Sequence, residues 1–232
     1  YHLERVMYFD MDAHHGDGVM YGFYADPGVL DVDFHEDGRY LFPGTGFTSE
    51  TGEKEGEGFK VNIPVPPGTG DESYLTGFRE IVPTLVRAYK PEFILVQCGA
   101  DSHADDLLAH LQLTTRTYEE IITTLHKLAH EVASGRIVAF GGGGYNVANV
   151  ARCWTVIAAG LSEIQLTNDV PNEWKSLCRR STSQTPPDTL QSEISRGYDP
   201  ETGAAQMRKN IEDLRKRIPL LSRSTSVREQ DS

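Results

Sequence analysis

The segment DMDAHHGDG, residues 10–18, places three aspartates and two histidines within nine positions. Alternate side chains of an extended strand share one face, so Asp10, Asp12 and His14 are predicted to line up where a strand ends. A divalent cation held by one imidazole and two carboxylates needs a further acid, and Asp101 follows the apolar run FILVQCGA. The pattern therefore indicates a metal site formed by Asp12, His14 and Asp101. In the alternative interpretation, the acids only cap helices and the histidines are hydrogen-bonded to backbone in turns. Short motifs are too permissive to exclude this alternative.

Four glycines, residues 141–144, follow a short apolar run and precede Tyr145. Glycine lets the backbone approach a ligand closely and adopt positive φ. A phosphate cradle is the competing interpretation, but residue 146 is Asn where a dinucleotide motif needs glycine, and no GK[ST] sequence occurs. The Tyr145 phenol is then available to donate a hydrogen bond to an oxyanion, or it packs as an ordinary helix-opening tyrosine.

The elements that must position these residues follow from hydrophobic periodicity. Segments that are short and rich in β-branched or aromatic residues are predicted to be buried strands: 5–12, 29–35, 92–98 and 136–140. Asp71 is predicted to cap a helix, and Thr117 with Glu120 to form the capping box of a second helix. A third helix is predicted to begin near Asn146. Residues 36–70, rich in glycine and proline, are predicted to form a long irregular segment at the rim of a site.

This alternation of strands and helices predicts an α/β fold with a central parallel sheet flanked by helices. Active sites of such folds lie at the carboxyl ends of the strands, where the acidic and glycine-rich motifs occur. Beyond about residue 165 the sequence is rich in Ser, Thr and Pro, with one amphipathic helix around residues 204–218 and a polar tail.

Composition excludes several classes of partner. The formal net charge of −12 opposes direct binding to nucleic acid. No run approaches the roughly 18 to 20 apolar residues of a membrane span, so we expect no membrane partner. Three scattered cysteines predict a reducing, cytoplasmic setting rather than a disulfide framework.

Four motifs, in order, resemble the zinc-dependent histone deacetylase family, especially its acetoin-utilisation branch: DMDAHHGDG, FHEDGRYLFPGTG, QCGADSHADDLLAHLQLT and FGGGGYNVANVARCW. The resemblance covers about residues 5–160 and implies an arginase-like fold. It implies hydrolysis of N-acetyl-lysine, in a protein or as a small acetylated amine, to amine and acetate. By this match Asp12, His14 and Asp101 bind Zn²⁺, and Tyr145 polarises the acetyl carbonyl.

The resemblance implies further roles. Phe42, Leu108 and Gly143 match the lining of the substrate tunnel. Asp10 and Asp17 match acids that orient two tandem histidines, which act on the zinc-bound water. A structural K⁺ site is implied at Asp10, Asp12, His14, Asp33 and Phe34. Many family members have Ser at the position of Asp33, so this residue departs from the pattern.

The family's tandem histidines lie upstream of the DMDAHHGDG motif, and this chain begins nine residues before Asp10. We therefore expect residues 1–165 to form the C-terminal part of the deacetylase domain, without its first strands and catalytic histidine pair, and residues 166–232 to form an extension. General acid–base groups contribute about 10²–10⁴ in rate, so we expect the chain alone to be weak or inactive. We also expect exposed apolar sheet surface.

Two other functions stay open. Binuclear manganese ureohydrolases of the same fold use D-A-H-x-D and D-x-D patterns, but this chain has Gly16 and His103 where the bridging acids would stand. One metal is therefore favoured. A non-catalytic acyl-lysine-binding module is the second alternative, and the retained ligands and Tyr145 argue against a decayed site.

Overall fold

The structure, a computed structural model, describes residues 2–182, 184–191 and 200–222. Its strands form one five-stranded parallel sheet in the order β3-β2-β1-β4-β5. The predicted α/β fold with a central parallel sheet is confirmed. In chain order the strands are β1 Val6–Asp10, β2 Val29–Glu36, β3 Lys60–Val65, β4 Phe93–Gln97 and β5 Ile137–Phe140.

Helices follow most of the strands. They are α1 Asp17–Gly22, α2 Asp71–Tyr89, α3 Thr115–Val132, α4 Val147–Ser162, α5 Asn172–Ser181, α6 Pro200–Arg217 and α7 Pro219–Ser222. A 3-10 turn spans Lys54–Gly56. As predicted, Asn146 precedes the helix after the glycines, and its side chain accepts a hydrogen bond from the backbone N–H of Asn149 (3.3 Å). Within the described ranges, no helix combines the length and apolarity needed to cross a lipid bilayer.

One face of the sheet packs against α2, which in turn contacts α3, α6 and α7. Phe9 on β1 lies between Phe34 on β2 and Phe78 on α2, with ring centroids 5.9 and 5.7 Å away. Tyr74 and Leu85 lie on the same buried stripe of α2 as Phe78 because helical side chains three or four residues apart share a face. This apolar layer fixes the strands whose ends carry the polar motifs.

The other face of the sheet is covered unevenly. Over β2 and β3 it is closed by α1 and segment 37–59, where Asn62 donates to the Glu50 carbonyl (2.7 Å) and contacts the Met20 sulfur (3.2 Å). Over β5 it is partly open, since Val138 is 47% and Phe140 is 37% exposed. Apolar surface is therefore exposed on β5, at one edge of the sheet, and its assignment to the place of further strands stays a prediction.

Strand β3 lies inside segment 36–70, so the prediction of an irregular segment there was wrong for Lys60–Val65. Proline occurs within sheets mainly on edge strands, and Pro64 is on β3, at one edge of the sheet. Strand β1 ends at Asp10, two residues earlier than predicted, because the chain bends at residues 12–14. Helices α1, α5 and α7 were not predicted.

Two predicted helix starts were also wrong. Asp71 is the first residue of α2 rather than its cap, and its buried carboxylate accepts from Thr114 N, Thr114 Oγ1 and Thr117 Oγ1 (2.8, 2.7 and 2.6 Å). Thr114 caps α3, which begins three residues before the capping box would allow. Glu120, the expected partner in that box, pairs with Arg79 (2.5 Å). The long-range contacts of Asp71 thus replace its predicted capping role, whereas α3 has a local cap, since Thr114 Oγ1 accepts from Arg116 N (3.3 Å).

Helix α6 contains the predicted amphipathic helix. Its apolar residues Met207, Ile211 and Leu214 are buried in the main core, and Asn210 donates to the carbonyl of Pro64 (2.6 Å). The helix therefore packs against α2 and β3. The polar tail lies outside the described residues, and the division of the chain at residue 165 stays a prediction.

Candidate metal centre

The strand order reverses between β1 and β4, since β2 and β3 lie on one side of this pair and β5 on the other. Ligands of open α/β sheets bind at such a switch point, beyond the carboxyl ends of the strands. Asp12 and His14 follow β1, and Asp101 follows β4. The structure brings these three residues together, with candidate ligand atoms all within 4.8 Å of one another.

The contacts within this triad are short. His14 Nδ1 lies 3.1 Å from Asp12 Oδ1 and 2.9 Å from Asp101 Oδ2. Backbone N–H groups also hold the two carboxylates. The N–H of Ala13 donates to Asp101 Oδ1 (2.8 Å), and that of His14 donates to Asp12 Oδ1 (2.9 Å). Both aspartates are buried, while His14 is half-buried. The triad is thus rigid and reachable from one side.

The turn after β1 produces this convergence, not the strand alternation that the sequence suggested. Asp10 ends the strand, and its Oδ1 accepts the N–H of Asp12 (2.9 Å), which starts the turn. Asp10 Oδ2 accepts from the hydroxyl of Tyr8 (2.7 Å). Asp10 therefore belongs to a layer beneath the triad.

Gln97 holds one ligand in place, a role that sequence reasoning missed. Its Nε2 donates to Asp12 Oδ2 (2.8 Å), and its Oε1 accepts from the N–H of Gly99 (2.5 Å). Ligand carboxylates in metal sites are commonly oriented by such hydrogen bonds. The available signal was a lone amide at the end of the apolar run FILVQC, just before Asp101.

Glycine is required where the backbone meets these carboxylates. The N–H of Gly143 donates to Asp12 Oδ2 (2.6 Å), and its carbonyl accepts from Ala100 N (2.7 Å). A Cβ on Gly143 would lie 2.0 Å from Asp101 Oδ2, and one on Gly99 would lie 2.2 Å from Asp12 Oδ2. Two glycines thus line a small space bordered by one imidazole and two carboxylates, a donor set that fits a divalent cation.

The electrostatics of the triad favour positive charge. Burial raises the pKa of Asp101 to about 6. Burial also acts to raise the pKa of Asp12, but hydrogen bonds from His14 and Gln97 outweigh it and hold that pKa below its usual range. Hydrogen bonds to Asp101 and Asp12 raise the pKa of His14 to about 10. The two carboxylates therefore stabilise a cation at this point, whether a proton on His14 or a metal ion.

Tyr145 faces the triad edge-on. Its ring centroid lies 6.3 Å from that of His14 at an interplanar angle of 79°, and the side chain is 42% exposed. Partial burial and the charges of Asp101 and Asp12 raise the pKa of Tyr145 above its usual value. The phenol consequently keeps its proton near neutral pH and can act as a hydrogen-bond donor beside the triad.

Three other predicted site residues, Phe42, Leu108 and Asp17, lie on the segments that follow β2, Asp101 and β1. Phe42 (79% exposed) and Leu108 (54% exposed) lie on segments that follow β2 and Asp101. Their assignment to a tunnel wall stays a prediction. Asp17 is the first residue of α1, where its N–H donates to the His15 carbonyl (2.9 Å), and its role toward catalytic histidines also stays a prediction.

A second acidic pair, Asp10 and Asp33, lies one layer below the triad. Asp10 and Asp33 are register neighbours on β1 and β2, and both are buried. A Cβ on Gly16 would lie 2.9 Å from Asp10 Oδ2 and 3.1 Å from Asp33 Oδ2, so the two oxygens border the same space. Burial raises the pKa of both carboxyls, and the charge of Asp33 adds to the effect on Asp10. A cation between them would relieve this repulsion, and Phe34, the next residue of β2, lies beside them.

Comparison with known families gives a match to the histone deacetylase domain over residues 1–161. The acetoin utilization protein AcuC of Bacillus subtilis (strain 168) is 43% identical over 171 residues, which cover 73% of this chain and 44% of that protein. AcuC of Staphylococcus aureus (strain MRSA252) is 36% identical over 220 residues, covering 94% of this chain and 55% of that protein. The chain thus spans about half the length of these curated relatives.

Solved structures of a histone deacetylase and of an HDAC homolog superpose on this chain. An HDAC homolog crystallised in complex with SAHA superposes with a TM-score of 0.78 and 28% identity, covering 89% of this chain and 57% of that chain. The histone deacetylase Clr3 superposes with a TM-score of 0.74 and 25% identity, over 94% of this chain and 33% of that chain. The shared architecture is the arginase-like α/β fold.

Proposed function

Because the chain belongs to the histone deacetylase family, we propose that it supplies the metal-binding part of an enzyme that hydrolyses an N-acetylated amine to the free amine and acetate. The substrate class is acetyl-lysine in a protein or a small acetylated amine. The observation that carries the proposal is the convergence of Asp12, His14 and Asp101 with Tyr145 edge-on beside them.

Zn²⁺ is the ion proposed for the triad. One imidazole and two carboxylates form a donor set of the kind used in hydrolytic zinc sites, which keep a position open for water or substrate. When bound, zinc supplies a Lewis acid and lowers the pKa of its water to about 7 in well-characterised hydrolases. Gln97 and the backbone of Gly143 orient Asp12 for this role, since both donate to its Oδ2.

Tyr145 is proposed to donate its phenolic hydrogen bond to the oxygen of the substrate's acetyl group. This oxygen gains negative charge during amide hydrolysis, and one such donor is typically worth about 10²–10³ in rate. Partial burial and the charges of Asp101 and Asp12 raise the pKa of Tyr145, which favours the protonated, donating form of the phenol. The ring is partly exposed and edge-on to His14, so a substrate can reach the phenol beside the triad.

A structural K⁺ ion is proposed at Asp10 and Asp33, with the backbone of Asp12, His14 and Phe34 completing its oxygen ligands. The support is the shared space between the two buried carboxylates. Asp33 is hydrogen-bonded to His35 Nδ1 (2.7 Å), which holds this carboxylate in place on β2.

The ureohydrolase alternative requires a second metal beside the first. In the described part of the chain, one group of three metal-ligating side chains converges, and His103 is not in it. His103 lies in a turn, where its Nδ1 accepts from the N–H of Asp105 (3.3 Å). This arrangement supports a single ion.

The proposal is tested by metal loading and turnover of a protein that carries this chain together with the rest of the deacetylase domain, where the catalytic histidine pair is expected. We expect one Zn²⁺ per chain, hydrolysis of acetyl-lysine peptides or acetylpolyamines that stops with a chelator, and a fall of about 10²–10³ in kcat for Tyr145→Phe at unchanged zinc affinity. Tyr24→Phe is the matched control. Two Mn²⁺ ions per chain with urea release would favour the ureohydrolase. Zinc and acetyl-peptide binding without any turnover would favour a binding module.

A further inference from the structure

The segment that carries Tyr145 is anchored at two points on either side of Gly144. On one side Gly143 is fixed through both its N–H and its carbonyl, to Asp12 and Ala100. On the other side the backbone N–H of Tyr145 donates to Asp106 Oδ2 (2.8 Å). Gly144 has a φ of +141°, a conformation that glycine adopts readily, so the residue between the two anchors is easily rotated.

Asp106 is itself held by the chain around it. Its Oδ1 accepts from the N–H groups of Leu108 (2.9 Å) and Ala109 (3.2 Å), which closes a turn after Asp101. Its two oxygens therefore have separate tasks: Oδ1 closes the turn, and Oδ2 binds Tyr145. The side chain is half-buried, the bond to Ala109 is partly buried, and the bonds to Leu108 and Tyr145 are exposed.

We propose that Asp106 is the positioning residue for Tyr145, because it joins the loop after Asp101 to the loop that presents the phenol. The inference rests on the proposed function and adds a residue to it. Asp106 contacts neither the triad nor the phenol oxygen in the hydrogen bonds that it makes. It acts by fixing the backbone from which the Tyr145 side chain extends.

Tethering at Tyr145 N matters because catalytic geometry tolerates little displacement. A misplacement of about 1 Å at a reacting group can cost about 10² in rate. Without the Asp106 bond, the nearest fixed point on the N-terminal side of Tyr145 is Gly143, across the easily rotated Gly144. Rotation there would swing the phenol while leaving Asp12, His14 and Asp101 where they are.

Asp106→Asn separates the two tasks. The amide oxygen can still close the turn with Leu108 and Ala109, but the NH₂ group then meets the Tyr145 N–H donor to donor. In a protein that carries this chain with the rest of the deacetylase domain, we expect kcat for acetyl-lysine peptide to fall about tenfold to hundredfold, with KM and zinc affinity changed less than about threefold. Asp105→Asn, an exposed neighbour with the same change of charge, is the control and keeps full turnover.

A double-mutant cycle with Tyr145→Phe distinguishes positioning from a general structural defect. If Asp106 acts through the phenol, Asp106→Asn changes kcat less than about twofold in the Tyr145→Phe background. Hydrogen exchange of the Tyr145 amide, which requires no turnover, should accelerate at least about tenfold in Asp106→Asn and stay unchanged in Asp105→Asn.

Additive effects of the two substitutions, or an unchanged exchange rate at Tyr145, would overturn the role of Asp106 and leave the proposed function standing. Full turnover of Tyr145→Phe would instead remove Tyr145 from the mechanism, and the positioning role with it. The two failures are therefore distinguishable within one set of variants.

Discussion

The backbone N–H of Gly143 lies 2.6 Å from Oδ2 of Asp12 and donates to it. The glycine-rich loop is therefore attached directly to a side chain that is proposed to bind the metal. Because the same loop continues through Gly144 to Tyr145, Gly143 links the proposed metal site to the segment that carries the phenol.

The first prediction concerns Gly143→Ala. The new methyl group would lie 2.0 Å from Asp101 Oδ2 and 2.9 Å from Asp12 Oδ2, so at least one carboxylate must move. We expect zinc affinity, measured by competition with a chromophoric chelator, to fall at least about tenfold. This is the lower end of the loss in metal affinity that is typical when a ligand's orientation is disturbed. Gly141→Ala is the control, since its nearest neighbour is a Trp154 ring carbon at 3.3 Å. Equal affinities for the two variants would contradict the prediction.

Gln97→Met tests the amide that orients Asp12. The substitution keeps a similar volume and removes the donor to Asp12 Oδ2 as well as the acceptor for Gly99 N. Loss of such a supporting hydrogen bond typically costs about 10–100-fold in metal affinity, and we expect that range here. Zinc titration of Gln97→Met and of the unsubstituted protein measures the change in affinity. An unchanged dissociation constant would show that the backbone of Gly143 and His14 suffices to hold Asp12.

Potassium should stabilise the fold through Asp10 and Asp33. In KCl we expect a higher Tm than in choline chloride of equal ionic strength, because an ion that binds only the folded state adds RT ln(1 + [L]/Kd), about 2.7 kcal/mol at 100 times Kd. Asp33→Asn should reduce this difference by removing one of the two facing charges. A Tm that does not depend on the choice of cation would argue against an ion at this pair.

Asp71 should be a strong contributor to stability outside the site. Asp71→Ala leaves the Thr114 N–H and two threonine hydroxyls without their buried acceptor, and we expect the free energy of unfolding to fall by about 3 kcal/mol. Urea denaturation measures the change. Glu72→Ala is the control, because its ion pair with Arg116 is exposed and should matter by less than about 1 kcal/mol. Similar losses in both variants would refute the importance of the buried carboxylate.

Sequence reasoning located four of the five strands because buried parallel strands are apolar throughout. It missed β3, where polar and apolar residues alternate over a short span. Lys60 is buried there only because its Nζ donates to backbone carbonyls, including that of Val29 (2.6 Å). Two of the acceptors, the carbonyls of Val29 and Asp26, lie 31 and 34 residues away in the sequence, so no local pattern predicts them.

The contrast between local sequence patterns and long-range partners also applies to the candidate site. Asp12, His14, Asp101 and Tyr145 were predictable because each stands in a motif with a recognisable chemistry. Gln97 and Asp106 were not, because a single amide or acid gains its role only when the fold brings a partner to it. Asp71 shows the opposite error, since a local capping rule was outweighed by partners about 43 residues away.

His14 and Asp101 are 87 residues apart in the sequence, so the metal centre also matters for the stability of the fold. An ion bound by both would act as a cross-link between the part of the sheet that contains β1, β2 and β3 and the part that contains β4 and β5. Clips that close long loops restrict the unfolded chain most, so metal occupancy and global folding would be thermodynamically linked. Withdrawal of the ion would then loosen the whole sheet, and chelation would sensitise the protein to proteolysis well away from the site.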